Sequence, residues 1–164
     1  GSMGHLSGEL IQRSGGFRLT HVPYKGSAPA ATDVLGGNIN MSFDLVSSYL
    51  QHIRAGSVRA LATTTATRTA TLPDVPTVAE AGVPGYQFVS WMGAAGPAAL
   101  PKDLATKISA DINAALKSAD VRSKLEGFGL EIAGTTPEEL GTYMREELER
   151  MHRIVKDAGI ALMD

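Results

Sequence analysis

The sequence predicts an α/β fold, in which strands and helices alternate along the first part of the chain. Three β-rich segments lie between Phe17 and Thr63, and helical segments connect them. Helical connections of this kind favour crossovers between parallel strands. Glycines follow the helical segments, at the positions where helices ordinarily end. Beyond Pro97 the chain is predicted to be mostly helical.

The elements of the first part follow from the period of the apolar residues. Leu6, Leu10 and Ile11 share one face of a first helix, which two glycines end. Ser27 and the proline two residues later are typical of a helix start. In order, the predicted elements are a helix at 4–14, a strand at 17–24, a helix at 27–35, a strand at 39–43, a helix at 45–55 and a strand at 58–63.

The second part contains fewer strands and longer helices. A threonine-rich segment with several breakers is predicted to be a loop. Thr136, followed by proline and two glutamates, is a strong start signal for the last helix. The predicted elements are a helical turn at 78–81, a strand at 86–96, helices at 101–118 and at 120–127 behind an Asp cap, a strand at 130–133 and a helix from Thr136 to about Ala158.

Composition limits the classes of function. The 164 residues are 43% hydrophobic and 20% charged, an ordinary globular balance. The formal net charge is -2, so no basic field exists to attract nucleic acid or an anionic membrane. No stretch approaches the roughly 20 apolar residues of a membrane span, which predicts a soluble protein. Residues 1–3 resemble a protease scar followed by an initiator or vector methionine, and no signal-peptide pattern follows them.

Residue types that carry catalysis lack the spacing of catalytic motifs. The absence of cysteine removes disulfides, thiolate nucleophiles and zinc–thiolate sites. The four histidines, His5, His21, His52 and His152, do not have the spacing of metal ligands. Neither a nucleophile elbow nor a phosphate-binding loop follows a predicted strand. We therefore expect no metal, no cofactor and no enzyme activity.

The first candidate binding point is the turn from Tyr24 to the second helix. In open parallel sheets, ligands bind beyond the carboxyl ends of strands, where helix N-termini direct unpaired N–H groups outward. Gly26 permits close backbone approach, Lys25 adds positive charge, and Ser27 presents an N–H group. This combination suits a carboxylate. Alternatively, Ser27 is only a helix cap and Lys25 is a solvated charge.

The second candidate point is the turn at Asp44 and Leu45. Asp44 is placed to accept a hydrogen bond from a ligand ammonium or hydroxyl group, or else it caps its own helix, which is the more common role. Farther along, Tyr86 and Phe88 share one strand face and are predicted to be core, whereas Trp91 lies on the opposite face.

Eight short motifs are spread along the chain: HVPYKGSAPA at 21–30, DVLGG at 33–37, FD at 43–44, IRAG at 53–56, RALA at 59–62, LPDVPTVAEAG at 72–82, PGY at 84–86 and GTTPEE at 134–139. Together they resemble the solute-binding receptors of tripartite tricarboxylate transporters, the Bug or TctC-like family. The resemblance covers nearly the whole chain from Gly4 onward.

The resemblance implies a two-lobed periplasmic-binding-protein-like fold, known as a Venus flytrap. Such a receptor is periplasmic, closes on a small carboxylated solute and delivers it to membrane permease subunits without turnover. By position, the resemblance assigns one side of the cleft to His5, at the end of the family's serine-rich loop, and to Tyr24, Lys25, Gly26, Ser27, Asp44 and Leu45.

The chain resembles only the C-terminal half of the family. We expect residues 4–98 to form part of the second lobe with an incomplete parallel sheet, and residues 99–164 to form the helical segment that packs on the first lobe in the family. An exposed sheet edge and an apolar helix face need another partner, so we expect a homodimer or a domain-exchanged oligomer. A ligand held by one lobe is half exposed, which predicts weak affinity or none.

Three functional hypotheses follow. The leading one is a fragment of a carboxylate receptor. The alternative is a truncated remnant that binds no solute and only self-associates. A small α/β enzyme stays open only if a partner chain supplies the catalytic groups.

Overall fold

Helices dominate the architecture. The computed structural model describes residues 1–160, and within them the regular secondary structure is six helices and one isolated β-bridge. The helices are α1 (Met3–Gly15), α2 (Ser27–Leu35), α3 (Val46–Arg54), α4 (Lys102–Lys117), α5 (Ala119–Gly127) and α6 (Pro137–Ala158).

Local chemistry determines both ends of α1. The Ser2 side chain accepts a hydrogen bond from the N–H of His5 at 3.3 Å, which satisfies one of the free donors of the first turn. Gly16 has a φ of 69°, and its N–H donates to the carbonyl of Gln12. Glycine adopts this left-handed conformation without strain. The predicted helix and its glycine stop are therefore confirmed.

The helices α2 and α3 agree with the predicted ranges within one residue at each end, but their predicted caps are wrong. Gly26 is the N-cap of α2, so Ser27 is the first helical residue and not the cap. Leu45, and not Asp44, is the N-cap of α3. Neither cap residue bonds its helix through a side chain, so the first N–H groups of both helices lack this acceptor.

The tail helices also form where they were predicted. Thr136 and Glu139 make a capping box at the start of α6: the N–H of Glu139 donates to Thr136 Oγ1 at 3.2 Å, and the N–H of Thr136 donates to Glu139 Oε2 at 2.8 Å. The predicted Asp cap of α5 is wrong, because Ser118 occupies the N-cap. Asp120 lies in the first turn and pairs with Lys124 at 2.9 Å.

The predicted strands do not form a ladder within residues 1–160. One parallel bridge joins Thr63 to Thr77, where the N–H of Val78 donates to the carbonyl of Thr63 at 2.9 Å. A strand needs a paired neighbour, and apolar residues that should face one are exposed, with Phe17 at 43% and Leu61 at 55%. The predicted strands without a ladder are those at 17–24, 39–43, 58–63, 86–96 and 130–133.

The chain divides into two compact units. The first comprises Gly1–Ser90 with the described residues from Ile154 onward, and the second comprises Trp91–Arg153. No residue of the second unit is fully buried. The division into residues 4–98 and 99–164 stays a prediction, and residues 161–164 of it lie outside the described residues. The buried apolar residues, which confirm Tyr86 and Phe88 as core, are Leu6, Ala30, Ala31, Tyr49, Leu50, Val78, Tyr86, Phe88 and Ile154.

Candidate anion-binding site

A side-chain hydrogen bond joins the two candidate turns. Ser27 Oγ donates to Asp44 Oδ1 at 2.8 Å, and the same oxygen accepts the N–H of Leu45 at 2.7 Å. Ser27 is the first residue of α2, and Leu45 is the N-cap of α3. The hydrogen bond therefore holds the starts of these two helices side by side. Sequence reasoning placed both turns in the site but did not predict this link.

Neither helix start has a side-chain cap. Helix N-termini carry partial positive charge and unsatisfied N–H groups, which favour bound carboxylates or phosphates. Gly26 has a φ of 109°, a conformation that a side chain would strain, and its Cα faces open space. Lys25, immediately before it, is exposed. The turn thus offers backbone donors, an exposed cation and little steric hindrance.

The N-terminal turn of α1 approaches the same region. A Cβ atom on Gly4 would collide with the carbonyl oxygen of Phe43, and one on Gly8 would lie 3.4 Å from the ring of Phe43. The glycines therefore allow α1 to lie directly against the residue that precedes Asp44. His5 is the next residue of α1 after Gly4.

Tyr24 is directed to the body of α2. Its hydroxyl donates to Asp33 Oδ2 at 2.7 Å, and the Asn38 amide donates to Asp33 Oδ1 at 3.0 Å. The bond from Tyr24, and then that from Asn38, lowers the pKa of Asp33. The same bond raises the pKa of Tyr24. Tyr24 therefore links the turn to α2, and the proton of its hydroxyl is donated to Asp33.

His5 stacks on a residue that the sequence did not single out as a site residue. The rings of His5 and His21 lie 3.9 Å apart with planes 5° from parallel. Burial, then the charge of His21, then the amino group of Gly1 lower the pKa of His5, while Glu9 opposes these effects. Stacking depends on the turn that follows α1, so no spacing in the sequence indicates it.

The remaining chemistry of the described residues is limited. Residues 1–160 contain no group of three or more His, Asp or Glu side chains that could hold a metal ion. Among their helices, none has the length and apolar character needed to cross a membrane.

Comparison with known proteins identifies the family. The family described as "Tripartite tricarboxylate transporter family receptor" matches residues 1–160. The chain belongs to this receptor family. Its members are solute-binding receptors of the Bug and TctC type, and the family is not an enzyme family.

Curated relatives of this chain are mostly longer. A UPF0065 protein from the tcbD–tcbE intergenic region of a Pseudomonas strain is 38% identical over 152 residues, which cover 92% of this chain and 45% of the relative. BugT from Bordetella pertussis is 33% identical, with 99% of this chain and 50% of BugT covered. The chain thus spans about half the length of these relatives. In contrast, a UPF0065 protein from the clcB–clcD intergenic region of Pseudomonas knackmussii, 32% identical, is covered over 90% of its length.

Solved structures of receptors share the fold. A Rhodopseudomonas palustris protein solved with adipate is 38% identical, has a TM-score of 0.90 and is matched over 99% of this chain and 55% of its own. MatC from the same species, solved with malate, is 30% identical with a TM-score of 0.78, and the match covers 94% of this chain and 53% of MatC. BugD, a periplasmic binding protein, has 31% identity and a TM-score of 0.83, with coverage of 96% and 53%. These matches confirm the predicted fold class, one lobe of a periplasmic-binding-protein-like fold.

Proposed function

We propose that the chain forms one wall of a binding site for a small carboxylated solute in an uptake receptor. The observation that carries this proposal is the 2.8 Å hydrogen bond from Ser27 to Asp44, which holds the starts of α2 and α3 together. Two adjacent helix N-termini without side-chain caps attract one carboxylate group more strongly than either does alone. Relatives solved with adipate and malate support this ligand class.

Each site residue has a distinct role in this proposal. The N–H groups after Gly26 and Leu45 bind a ligand carboxylate, and Lys25 adds an exposed positive charge. Asp44 Oδ1 accepts both nearby hydrogen bonds, which leaves Oδ2 to accept one from a ligand hydroxyl group. Tyr24 fixes the turn through Asp33, and His5 borders the site from α1.

The same proposal covers location and partners. We place the protein in the periplasm, where it binds solute without turnover and passes it to membrane permease subunits. The family assignment and the periplasmic relatives support this role. Residues 4–98 would form the ligand-binding wall, and residues 99–164 the accompanying helical segment.

Nuclear magnetic resonance titration with adipate, malate and citrate tests the binding proposal. Because one wall buries only part of a ligand, we expect weak binding that shifts the amide signals of Ser27 and Val46, the first residues of the two helices, before others. Calorimetry on the same samples should give heat with at least one of these acids. The absence of both responses at millimolar concentration would contradict the proposal.

A pair of variants makes this test specific. Ser27→Ala removes the link to Asp44 and should weaken binding about tenfold, as expected for a lost hydrogen bond to a charged group. Thr32→Ala is the matched control, because Thr32 lies on the same helix and donates only to the carbonyl of Ala28. Equal effects of the two substitutions would argue against a site at the helix start.

A second candidate function, self-association without solute binding, is favoured by one observation. Leu104, Ile108 and Ile112 recur every fourth residue along α4 and are 42%, 41% and 40% exposed. Such a stripe on one helix face ordinarily packs against another surface. Light scattering should then show a dimer or larger species, whereas a monomer at micromolar concentration would contradict this candidate.

A further inference from the structure

The exposed apolar stripe of α4 lies apart from the contacts that hold this helix in its own unit. Ser109 Oγ and Asn113 Nδ2 both donate to the carbonyl of Thr135 at 3.0 Å. These two residues come one position after Ile108 and Ile112, so they lie about 100° around the helix from the stripe. These hydrogen bonds therefore hold α4 by a neighbouring edge and leave the stripe exposed.

A row of alternating charges follows the other edge of the stripe. Asp103, Lys107 and Asp111 each come one residue before a stripe residue, and all three are exposed. Lys107 Nζ donates to Asp111 Oδ2 at 2.6 Å, and 69% and 65% of these two side chains are exposed. The row and the stripe share a period of four residues, so they run side by side along the helix. The exposed surface of α4 is therefore an apolar ridge bordered by charges of both signs.

The positions of these charges fit a second copy of α4 in antiparallel orientation. When a two-fold axis relates two antiparallel helices, the same edge of each helix lies on the same side of the pair, so the two charged rows meet. In a parallel pair, the charged row of one copy would meet the edge of Ser109 and Asn113 in the other, whose side chains are uncharged. The antiparallel pair is thus the one that brings opposite charges together.

The spacing of the stripe and the order of the charges select one register. A ridge of residues spaced four apart packs into the groove between equivalent residues of the facing helix. Each stripe residue then lies midway between two stripe residues of the other copy, which allows registers four residues apart. One register sets Lys107 opposite Asp111 in both directions. The next register on either side sets Lys107 opposite Lys107, or Asp111 opposite Asp111, and like charges repel.

We propose that two copies of the chain pair through antiparallel α4 helices, and that Lys107 of each copy lies opposite Asp111 of the other. This inference rests on the second candidate function, self-association, and adds the orientation and the register of the pair. Exposed ion pairs contribute little to affinity, whereas opposed like charges disfavour a wrong arrangement. The apolar stripe therefore provides the affinity, and the charged row selects the arrangement.

Charge reversal in the full chain tests this arrangement. Lys107→Glu opposes negative side chains across the two-fold axis and should raise the dissociation constant of the dimer, measured by sedimentation equilibrium, about tenfold. Adding Asp111→Lys to the same chain restores opposite charges and should return the constant to within about twofold of the wild type. Lys124→Glu is the matched control, because Lys124 makes an equally exposed pair with Asp120 on α5. This control should leave the constant unchanged.

Engineered cysteines test the orientation separately. The 164 residues contain no cysteine, so one substitution gives one reactive thiol per copy. In the selected register, Leu104 lies about 15 Å along the helix axis from Leu104 of the other copy and about 3 Å from Ile112 of the other copy. A short bifunctional thiol reagent should therefore link Leu104→Cys chains to Ile112→Cys chains in a mixture, and should not link Leu104→Cys chains to each other.

The possible failures are distinguishable. Efficient linking of Leu104→Cys chains to each other would show a parallel pair and overturn the inference, while self-association would stand. Equal weakening by Lys107→Glu and Lys124→Glu would have the same consequence. A wild-type chain that sediments as a monomer at micromolar concentration overturns both, and the stripe then faces a partner of another kind.

Discussion

At the scale of single residues, two glycines of α1 differ in what they permit. A side chain at Gly4 would collide with the backbone oxygen of Phe43, whereas one at Gly8 would make an ordinary contact, at 3.4 Å, with the ring of the same residue. Only the first contact involves backbone that cannot rotate away. Gly4 therefore controls how closely α1 approaches the segment that leads to Asp44.

Alanine substitutions should separate the two glycines. Gly4→Ala should destabilise the protein by about 1–3 kcal/mol, because Phe43 must move. Gly8→Ala should be neutral or stabilise it by up to about 1 kcal/mol, since alanine is a better helix former than glycine. Urea unfolding measures both. Equal effects of the two substitutions would show that α1 does not lie against Phe43.

Part of the candidate site could be predicted from single residues, and part could not. Gly26 predicts a turn and Ser27 predicts a helix start, because the preference of glycine for turns and that of serine for helix starts depend only on local sequence. The hydrogen bond from Ser27 to Asp44 joins the starts of two different helices, so it cannot be predicted from either residue alone. Taken alone, each residue is equally typical of a helix cap. The contact of His5 with His21 depends on the path of the chain between them and left no signal in the sequence.

At the scale of elements, a buried hydrogen bond fixes α1 to the segment at 86–88. Tyr86 Oη donates to the carbonyl of Ser7 at 3.0 Å and lies 2.7 Å from Ser7 Oγ, which donates to it in return. Both residues are 4% exposed. A buried polar group that loses its partner costs more than the bond itself contributes, because water cannot replace the partner.

Removing the hydroxyl of Tyr86 should therefore be costly. We expect Tyr86→Phe to destabilise the protein by about 1–3 kcal/mol in urea unfolding. Tyr143→Phe is the control, because Tyr143 is 37% exposed and contacts Trp91 through its ring. The control should stay within about 0.5 kcal/mol of the wild type. If Tyr143→Phe lost as much stability as Tyr86→Phe, the cost would not depend on burial, and this result would contradict the prediction.

Acid should weaken two local structures, the turn from Thr77 to Glu80 and the capping box of α6, because a glutamate stabilises each of them. Glu80 accepts the N–H of Thr77 and the guanidinium of Arg68, each at 2.9 Å, and these bonds lower its pKa from the ordinary 4.5. The capping box lowers the pKa of Glu139 in the same direction. A lowered pKa adds stability at pH values above the unfolded pKa, and this is lost as the pH falls through the folded pKa.

Thermal unfolding between pH 7 and 3 measures this loss. The wild type should melt at progressively lower temperature below about pH 4.5. Glu80→Gln should melt lower than the wild type at pH 7, and its further loss on acidification should be smaller. Parallel curves for the two proteins would show that Glu80 is not linked to stability.

The helices were more predictable than the strands for a physical reason. Helix hydrogen bonds join residues four apart, so caps, period and glycine stops lie within one window of sequence, as at Ser2 and Gly16. A strand is completed by a neighbour that is distant in sequence. The segments at 17–24 and 58–63 have the alternation of strands, but their apolar residues Phe17 and Leu61 remain exposed. The local pattern gives these two segments a preference for the β conformation, but it does not determine which strand would pair with them.

At the scale of the whole molecule, exposed apolar surface is the dominant feature. The chain spans about half the length of most curated relatives that it matches. Phe17 and Leu61 in the first unit and the α4 stripe in the second are all exposed. A contiguous apolar face such as the α4 stripe marks an interaction site more often than a single exposed apolar residue does. The family resemblance carried the fold class and local patterns carried the helices, whereas what covers these surfaces is not encoded in any local pattern.

Substitution of the α4 stripe decides whether that surface carries an interface. Ile108→Lys places a charge at the centre of the stripe, while Ala110→Lys adds the same charge two residues along, on the opposite face of the helix. If copies of the chain associate through the stripe, light scattering should show an oligomer for the wild type and Ala110→Lys, and a monomer for Ile108→Lys. The same charge should weaken association because it would have to leave water on burial. An oligomer that survives Ile108→Lys unchanged would show that association uses another surface, and the exposed residues at Phe17 and Leu61 would then be the ones to substitute.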